Sequence, residues 1–323
     1  MTTQQPIDSP FDASSTAAEV IDGIDLQGRF AVVTGGYSGL GLETVRALAG
    51  AGCDVVVPAR RPEHALEVVD EALGGLDGTV SVTAMDLADL DSVSAFVAEL
   101  VGSGRPVDIC IDNAAIMACP EARIGPGWES QFGTNHLGHF AMTVGLWPLL
   151  VDGGARVVVL SSTGHKLSDI RWDDIHFEDG YDKWLAYGQA KTANALFAVH
   201  LDRLGADHDV RAFAVHPGGI MTELQRHLPV EEMRERGWID EDGAVNPLFK
   251  SPEQGAATSV WAATSPLLAD EGGVYCEDCN ISSITDPENP AARFLGVDPH
   301  AVDAGTAERL WAYSVEVTGV DLR

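Results

Sequence analysis

Six short, continuous, β-branched runs recur between residues 30 and 215, and they constrain the fold more than any other feature of the chain. They cover residues 30–34, 54–57, 79–85, 108–111, 156–161 and 210–215. Apolar stretches of this length are expected of strands buried on both faces of a parallel sheet. Segments of helical period lie between them: 42–51 closed by Gly52, 91–101 closed by Gly102, and 186–204 closed by Gly205. Glycine just past the last periodic residue is a helix stop, because it adopts the left-handed conformation without steric cost. Repeated β-α units in one array predict a single doubly wound α/β domain over residues 29–285.

Flanking segments complete the expected organisation. Residues 1–28 read as an N-terminal tail, loose through residue 14, followed by a short helix. Thr16-Ala-Ala-Glu19 has the form of a capping box, and that helix is predicted to end near Gly23. Residues 286–323 read as a C-terminal extension with a helix of its own. Two insertions, 165–185 and 224–250, interrupt the array, each after a strand at the edge where such folds bind ligands. No solenoid repeat or low-complexity segment is present.

Composition excludes several function classes. With 323 residues, 45% of them hydrophobic, the chain can bury a sizeable core. A formal charge of -29 argues against nucleic acid, whose phosphates need clustered Lys and Arg. The five cysteines are odd in number and unpatterned, so no disulfide framework is implied. Cys276-Glu-Asp-Cys279 lacks two further ligands nearby, so no metal site is expected and a structural role is preferred. The polar N-terminus does not read as a secretory signal, and no apolar stretch is long enough to span a bilayer. A cytoplasmic, reduced setting without membrane attachment is the expectation.

The chemistry is carried by two motifs about one hundred and fifty residues apart. Thr34-Gly-Gly-Tyr-Ser-Gly-Leu-Gly41 follows a strand and opens a helix. Gly35, Gly39 and Gly41 would let backbone approach a diphosphate closely, and the helix N-terminus offers free N–H groups to the anion. Tyr187-Gly-Gln-Ala-Lys191 places a phenol and an ammonium at i and i+4 on one helical face. A free phenol titrates near 10, too high for proton transfer at neutral pH. Lowering it by about three units requires about 4 kcal/mol of phenolate stabilisation, which a nearby ammonium and an oxidised nicotinamide ring could supply. Only four lysines occur, at positions 166, 183, 191 and 250, so a lysine in this motif is less readily a coincidence. Together the motifs point to hydride transfer between a nicotinamide dinucleotide and a carbonyl or alcohol.

The spacing Gly-x-x-x-Gly-x-Gly with Tyr-x-x-x-Lys resembles the short-chain dehydrogenase/reductase superfamily, over roughly residues 25–285. That resemblance implies a Rossmann domain. It also implies roles for further residues. Asp86-Leu87 resembles the adenine-contacting acid, and Asn113-Ala-Ala115 resembles the Asn-Ala-Gly element, with Ala115 in place of glycine. Ser162 is implied as the serine that binds the substrate oxygen, with Ser161 as the neighbouring candidate. Asn135 matches the helix-bending asparagine that would hold a water linking Lys191 to solvent, whereas His136 and His139 read as packing or surface residues. Tyr187 would act as general acid/base and Lys191 would also grip the ribose. Pro217, Gly218, Ile220 and Thr222 resemble the segment that meets the nicotinamide carboxamide and diphosphate, and Leu40 and Ala114 fall in the cofactor motifs.

Cofactor choice rests on the end of the second strand. A carboxylate there would bond the ribose hydroxyls of NAD; here Ala59, Arg60 and Arg61 stand instead. Arg60 could meet a 2′-phosphate bidentately with Ser38 as a second donor, so NADP(H) is expected and NAD(H) is the alternative.

Asn135-His-Leu-Gly-His-Phe140, the long gap between Ser162 and Tyr187, and the arginine after the second strand resemble retinol-dehydrogenase-like and WW-domain-oxidoreductase-like members. Residues 307–314 resemble their C-terminal helix. Residues 1–15 do not read as the hydrophobic N-terminal anchor of the membrane-bound retinol enzymes, so retinoids are not the expected substrate. The two insertions are expected to form the substrate mouth, residues 170–177 and 181–184 bringing apolar and aromatic surface. Leu228, Met233, Trp238 and Phe249 would belong to a lid. The implied partner is a fairly apolar ketone, aldehyde or secondary alcohol. Family analogy suggests a homodimer or homotetramer.

Three other readings were open. NAD-dependent alcohol oxidation is the runner-up. An epimerase or dehydratase would share Tyr-x-x-x-Lys but has a different glycine spacing and a larger C-terminal domain. A non-catalytic NADPH-binding sensor would tolerate loss of Tyr187 or Lys191, and here the set Asn135, Ser162, Tyr187, Lys191 is complete.

Overall fold

The computed structural model describes residues 3–289 and 292–322, in which strands and helices alternate from residue 30 onward. In chain order, α1 (Ala17–Ile21) precedes β1 (Phe30–Val33), α2 (Gly39–Gly50), β2 (Asp54–Ala59), α3 (Pro62–Leu73), β3 (Val80–Ala84), α4 (Leu90–Ser103) and β4 (Ile109–Asp112). A small hairpin, β5 (Arg123–Ile124) and β6 (Trp128–Glu129), leads into α5 (Ser130–Phe132), a π-helical turn Gly133–Leu137, α6 (Gly138–Gly145) and α7 (Trp147–Leu150). There follow β7 (Ala155–Leu160), α8 (Lys183–Gly205), β8 (Val210–His216), α9 (Val230–Glu235), α10 (Pro252–Thr264), β9 (Val274–Glu277), β10 (Asn280–Ile281) and α11 (Ala304–Thr318).

Among the described residues, one eight-stranded sheet runs in the order β10-β9-β8-β7-β4-β1-β2-β3. Every pairing is parallel except β10 with β9. This is a doubly wound, Rossmann-like α/β fold. The strand sequence reverses between β1 and β4, and the crevice beyond their C-terminal ends is where such sheets bind ligands.

Strand alternation explains why the runs are apolar throughout. Phe30 and Val32 point into one core layer, and Ala31 and Val33 into the other. Val157 and Val159 against Val158 and Leu160, and Ala212 and Ala214 against Phe213 and Val215, divide the same way. Phe96 of α4, Phe140 of α6, Phe197 of α8 and Trp311 of α11 fill the first layer. Val45 of α2, Val69 of α3 and Trp261 of α10 fill the second, with Ala17 and Val20 of α1. Fully burying one such aliphatic side chain stabilises by about 1.5–3 kcal/mol, so both faces of the sheet are strongly specified.

The Thr16 capping box forms as expected: its hydroxyl accepts from the Glu19 amide, and the Glu19 carboxylate accepts from the Thr16 amide at 2.8 Å. The segment before it departs from expectation, for it is docked and not loose. The Gln4 side chain accepts from the Tyr275 amide at 2.9 Å and donates to the carbonyls of Tyr275 and Ser282 at 2.8 and 2.6 Å. The Asn280 side chain holds the Ile7 N–H and C=O at 2.8 and 2.9 Å, along the β9–β10 edge. Ile7 and Phe11 then pack on the core.

Residues 170–177 also differ from expectation. Ile170 and Ile175 are buried against Trp128, Phe132 and Leu310, and the His176 ring bonds the Tyr313 hydroxyl at 2.8 Å. Their apolar side chains close the gap between the hairpin, α8 and α11, not the mouth of a cleft. α3, α10, β9 and β10 had no counterpart in the sequence reading. The five cysteines are buried free thiols, Cys276 and Cys279 included. No helix among the described residues is long and apolar enough to cross a membrane.

Candidate active site

A cleft of about 1500 Å³ opens at the C-terminal ends of β1, β4, β7 and β8. That exceeds the usual 300–1,000 Å³ of a small-ligand site and leaves room for a dinucleotide with a second molecule.

One end is built from the turn between β1 and α2. Thr34 is buried, and its hydroxyl accepts from the Asn113 and Ala114 amides at 2.8 and 2.9 Å. The Asn113 side chain donates back to the Thr34 carbonyl at 2.8 Å, lacing the ends of β1 and β4 together. Against this corner there is no room for a side chain at position 41, where a Cβ would fall 2.2 Å from the Gly35 oxygen. Gly39, at φ +51°, turns the chain into α2 beside Thr222. Gly35, Gly39, Leu40 and Gly41 line the cleft, and the Ser38 hydroxyl makes no capping bond to α2. Free amides at the start of a 12-residue helix, reached through glycines, fit a diphosphate.

Beyond β2, Arg60 and Arg61 are exposed and line the same cleft. Neither side chain forms a hydrogen bond or ion pair with any described residue, and Ala59, which ends β2, offers no carboxylate beside them. This end of the cleft therefore fits the phosphates of a dinucleotide, with unpaired guanidinium groups on the same lining. Asp86 and Leu87 lie past β3 but outside the cleft lining. The Asp86 carboxylate accepts from the Ala88 amide at 3.0 Å, and Leu87 is buried.

The other end is built from β7 and α8. Ser161 and Ser162 end the strand with opposite orientations. The Ser161 hydroxyl donates to the Lys191 carbonyl at 2.7 Å, whereas the Ser162 hydroxyl accepts from the Gly164 amide at 3.0 Å on the side of Tyr187, whose phenol it lowers. Lys191 is buried one turn beyond Tyr187, and its Nζ donates to the Leu160 carbonyl at 2.9 Å. Burial pushes the Tyr187 phenol up to about 12, against the lowering effect of Ser162, and pushes the Lys191 ammonium down to about 7.

Asn135 sits within the π-helical turn, fully buried. Its side-chain amide closes a ring with Ile116, accepting from the amide and donating to the carbonyl at 2.9 and 2.8 Å. The side chain is thus engaged with backbone and lies outside the cleft lining. His139 bonds the Thr34 hydroxyl and the Asn135 carbonyl, each at 2.9 Å, and His136 bonds Ser314 at 2.9 Å. Both are buried packing residues.

Pro217, Gly218, Ile220 and Thr222 line the cleft between its two ends. The Lys250 amide donates to the Gly219 carbonyl at 2.8 Å, which ties the 224–250 insertion to this segment. From Tyr187 outward the wall is aromatic: Trp184 at 6.4 Å, then Trp238 at 5.9 Å from Trp184, then Phe249 at 5.9 Å from Trp238. Arg236 stacks on Trp184 at 3.7 Å, and Leu228 packs beside Tyr187. Of the aromatic residues expected in the first insertion, Trp184 reaches the cleft.

The facing wall was missed by sequence reasoning. Asp286, Pro287, Phe294 and Leu295 come from the C-terminal extension, and Glu277 comes from β9. Adjacent Phe294 and Leu295 in an otherwise polar stretch were the signal the sequence offered, and in the structure both are exposed, as large apolar side chains at a binding surface often are.

The short chain dehydrogenase family model matches residues 29–232. A Streptomyces lividans protein named "Probable oxidoreductase" is 47% identical over 298 residues, covering 91% of this chain and 98% of its own. Retinol dehydrogenase 12 of Mus musculus is 33% identical, covering 92% of this chain and 88% of its own. The crystal structure of an uncharacterized protein from Mycobacterium paratuberculosis superposes with a TM-score of 0.72 at 31% identity, covering 96% of this chain and 99% of that one.

Proposed function

This chain belongs to the short-chain dehydrogenase family and is an NAD(P)-dependent oxidoreductase, and from that premise we propose that it interconverts fairly apolar ketones or aldehydes and their alcohols using NADP(H). One observation carries the reading: the Tyr187–Ser162 pair, with Lys191 behind it, opens on the same cleft as the glycine turn and the unpaired Arg60.

When bound, the nicotinamide supplies or accepts the hydride at the substrate carbon. Tyr187 donates the proton to the carbonyl oxygen in reduction and removes it from the hydroxyl in oxidation. Ser162 holds that oxygen and stabilises the charge that develops on it. Lys191 biases Tyr187 toward phenolate and holds the ribose. Asn135 keeps the helix bent behind them. Gly35, Ser38, Gly39, Leu40, Gly41, Asn113 and Ala114 seat the dinucleotide, with Pro217, Gly218, Ile220 and Thr222 closing over it. Arg60 meets the 2′-phosphate. The wall of Trp184, Trp238 and Phe249 supports an apolar substrate body.

The test is the change in nicotinamide absorbance with each cofactor and a panel of ketones, aldehydes and alcohols. NADPH oxidation by apolar carbonyls is expected. Tyr187→Phe should lower kcat by roughly 10²–10⁴-fold while leaving NADPH affinity within about twofold. Turnover retained in Tyr187→Phe would overturn the mechanism, and turnover with NAD and alcohols alone would overturn the cofactor reading.

A further inference from the structure

His165 is fully buried, three residues past Ser162, and both its ring nitrogens meet backbone. Nδ1 lies 2.6 Å from the Ser162 carbonyl, so it carries the proton and donates. Nε2 accepts from the amide of Asp298 at 3.1 Å, from the C-terminal extension 133 residues away. One donor and one acceptor fix a single neutral tautomer, and burial, which pushes the ring down to about 4, keeps it neutral.

The surroundings tighten the link. The Tyr275 hydroxyl stands 3.3 Å from Nδ1, and the His300 ring is 3.1 Å from the His165 carbonyl. The neighbouring Lys166 donates to Asp298 and Thr285 at 2.6 and 2.8 Å, and the ion pair is largely buried. The Gly296 amide donates to Glu277 at 2.8 Å. The segment bearing Phe294 and Leu295 is therefore anchored at Glu277, Lys166 and His165, and the third anchor ends on the carbonyl of Ser162.

We propose that His165 is a positioning residue that couples the C-terminal wall of the cleft to the Ser162 hydroxyl. It rests on the reading of Ser162 and Tyr187 given above. With the wall seated, the Asp298 amide orients the imidazole, the imidazole holds the Ser162 carbonyl, and the Ser162 side chain points at Tyr187. With the wall displaced, the imidazole loses its acceptor contact and the turn after β7 loosens. Specificity for the substrate body and alignment of its oxygen are then set by one connected device, since the same segment forms the wall and the anchor.

The experiment compares His165→Leu, which has neither polar group, with His165→Gln, whose amide presents one donor and one acceptor. Both are made in the full chain and in a Ser162→Ala background. In the parent background, His165→Leu should lower kcat roughly ten- to a hundredfold, the cost of a misplaced group, with NADPH affinity by fluorescence within about twofold. The pH at which alcohol oxidation rises should move upward, because a misaligned Ser162 no longer lowers the Tyr187 phenol. His165→Gln should restore most of kcat. In the Ser162→Ala background, His165→Leu should cost less than about twofold, as expected of two residues acting as one unit.

An equal loss in both backgrounds would mean a general structural role and overturn the proposal, as would an unchanged kcat in the parent. If His165→Leu does not fold, Asp298→Pro in the two backgrounds removes the amide proton at a φ of -76° that proline accepts and applies the same criterion, with Asp298→Ala, which keeps the amide, as its control. Activity surviving Tyr187→Phe would strike the functional reading itself. Activity lost in Tyr187→Phe but untouched in His165→Leu would strike this proposal alone.

Discussion

The Lys191 ammonium lies 5.7 Å from the centre of the Tyr187 ring, within the same buried turn of α8. Burial drives both groups toward their neutral forms. On the proposed mechanism alcohol oxidation should need Tyr187 deprotonated, so its rate should rise with pH. Lys191→Met removes the cation that favours phenolate, so the rise should move to higher pH. At neutral pH, kcat should fall by roughly 10²–10⁴-fold. The pH dependence of kcat measures this, and a profile left in place would exclude the electrostatic role.

Arg60 offers an unpaired guanidinium at the cleft rim. Arg60→Ala should weaken NADPH binding roughly tenfold to a hundredfold, the range of a charge-assisted hydrogen bond, and barely change NADH. Titration of nicotinamide fluorescence with both cofactors decides it. Equal losses for the two would show that Arg60 does not read the 2′-phosphate.

Gly41→Ala should be far more costly than its size suggests. The added carbon falls 2.2 Å from the Gly35 oxygen and 2.6 Å from Asn113 Nδ2, so the turn must open. Dinucleotide affinity should fall at least tenfold, with a lower Tm, because loss of the Asn113–Thr34 lacing reaches β1 and β4. Calorimetry with and without NADPH tests both parts.

These predictions draw on features of uneven legibility. The turn 34–41 and the Tyr187–Lys191 pair were legible because each is local: a strand feeding glycines, and two residues one helical turn apart. The doubly wound sheet was legible because both faces of each strand are apolar. The role of residues 170–177 was not, since whether Ile170 and Ile175 face a cleft or Leu310 depends on where α11 returns. The contact of His165 with Asp298 joins residues 133 apart through a backbone amide, which leaves no trace in residue type. Strand β9 was hidden because Val274–Glu277 is four residues long and overlaps Cys276-Glu-Asp-Cys279, whose polar Glu277 and Asp278 break the apolar run.

Asp112 gives a prediction for stability. Its carboxyl is buried beside Cys110 and Thr143, and burial raises it from 3.8 to about 8. The folded chain keeps that proton while the unfolded chain releases it. The stabilising contribution is therefore full below pH 3.8 and is lost as pH rises toward about 8. Asp112→Asn, similar in shape and never charged, should melt higher than the parent by a margin that widens over that window and then levels. A constant margin in thermal unfolding across the window would refute the assignment.

The clamp that Gln4 and Asn280 place along the last strands bears on how copies of the protein behave toward one another. β10 ends the sheet, and an open edge invites a second molecule to add its own strand. By holding residues 4–7 there through side-chain contacts, the chain occupies that edge with a segment of itself. A version shortened past Ile7 would leave the edge sticky, and fibrous self-aggregation would then compete with recovery of native enzyme after refolding.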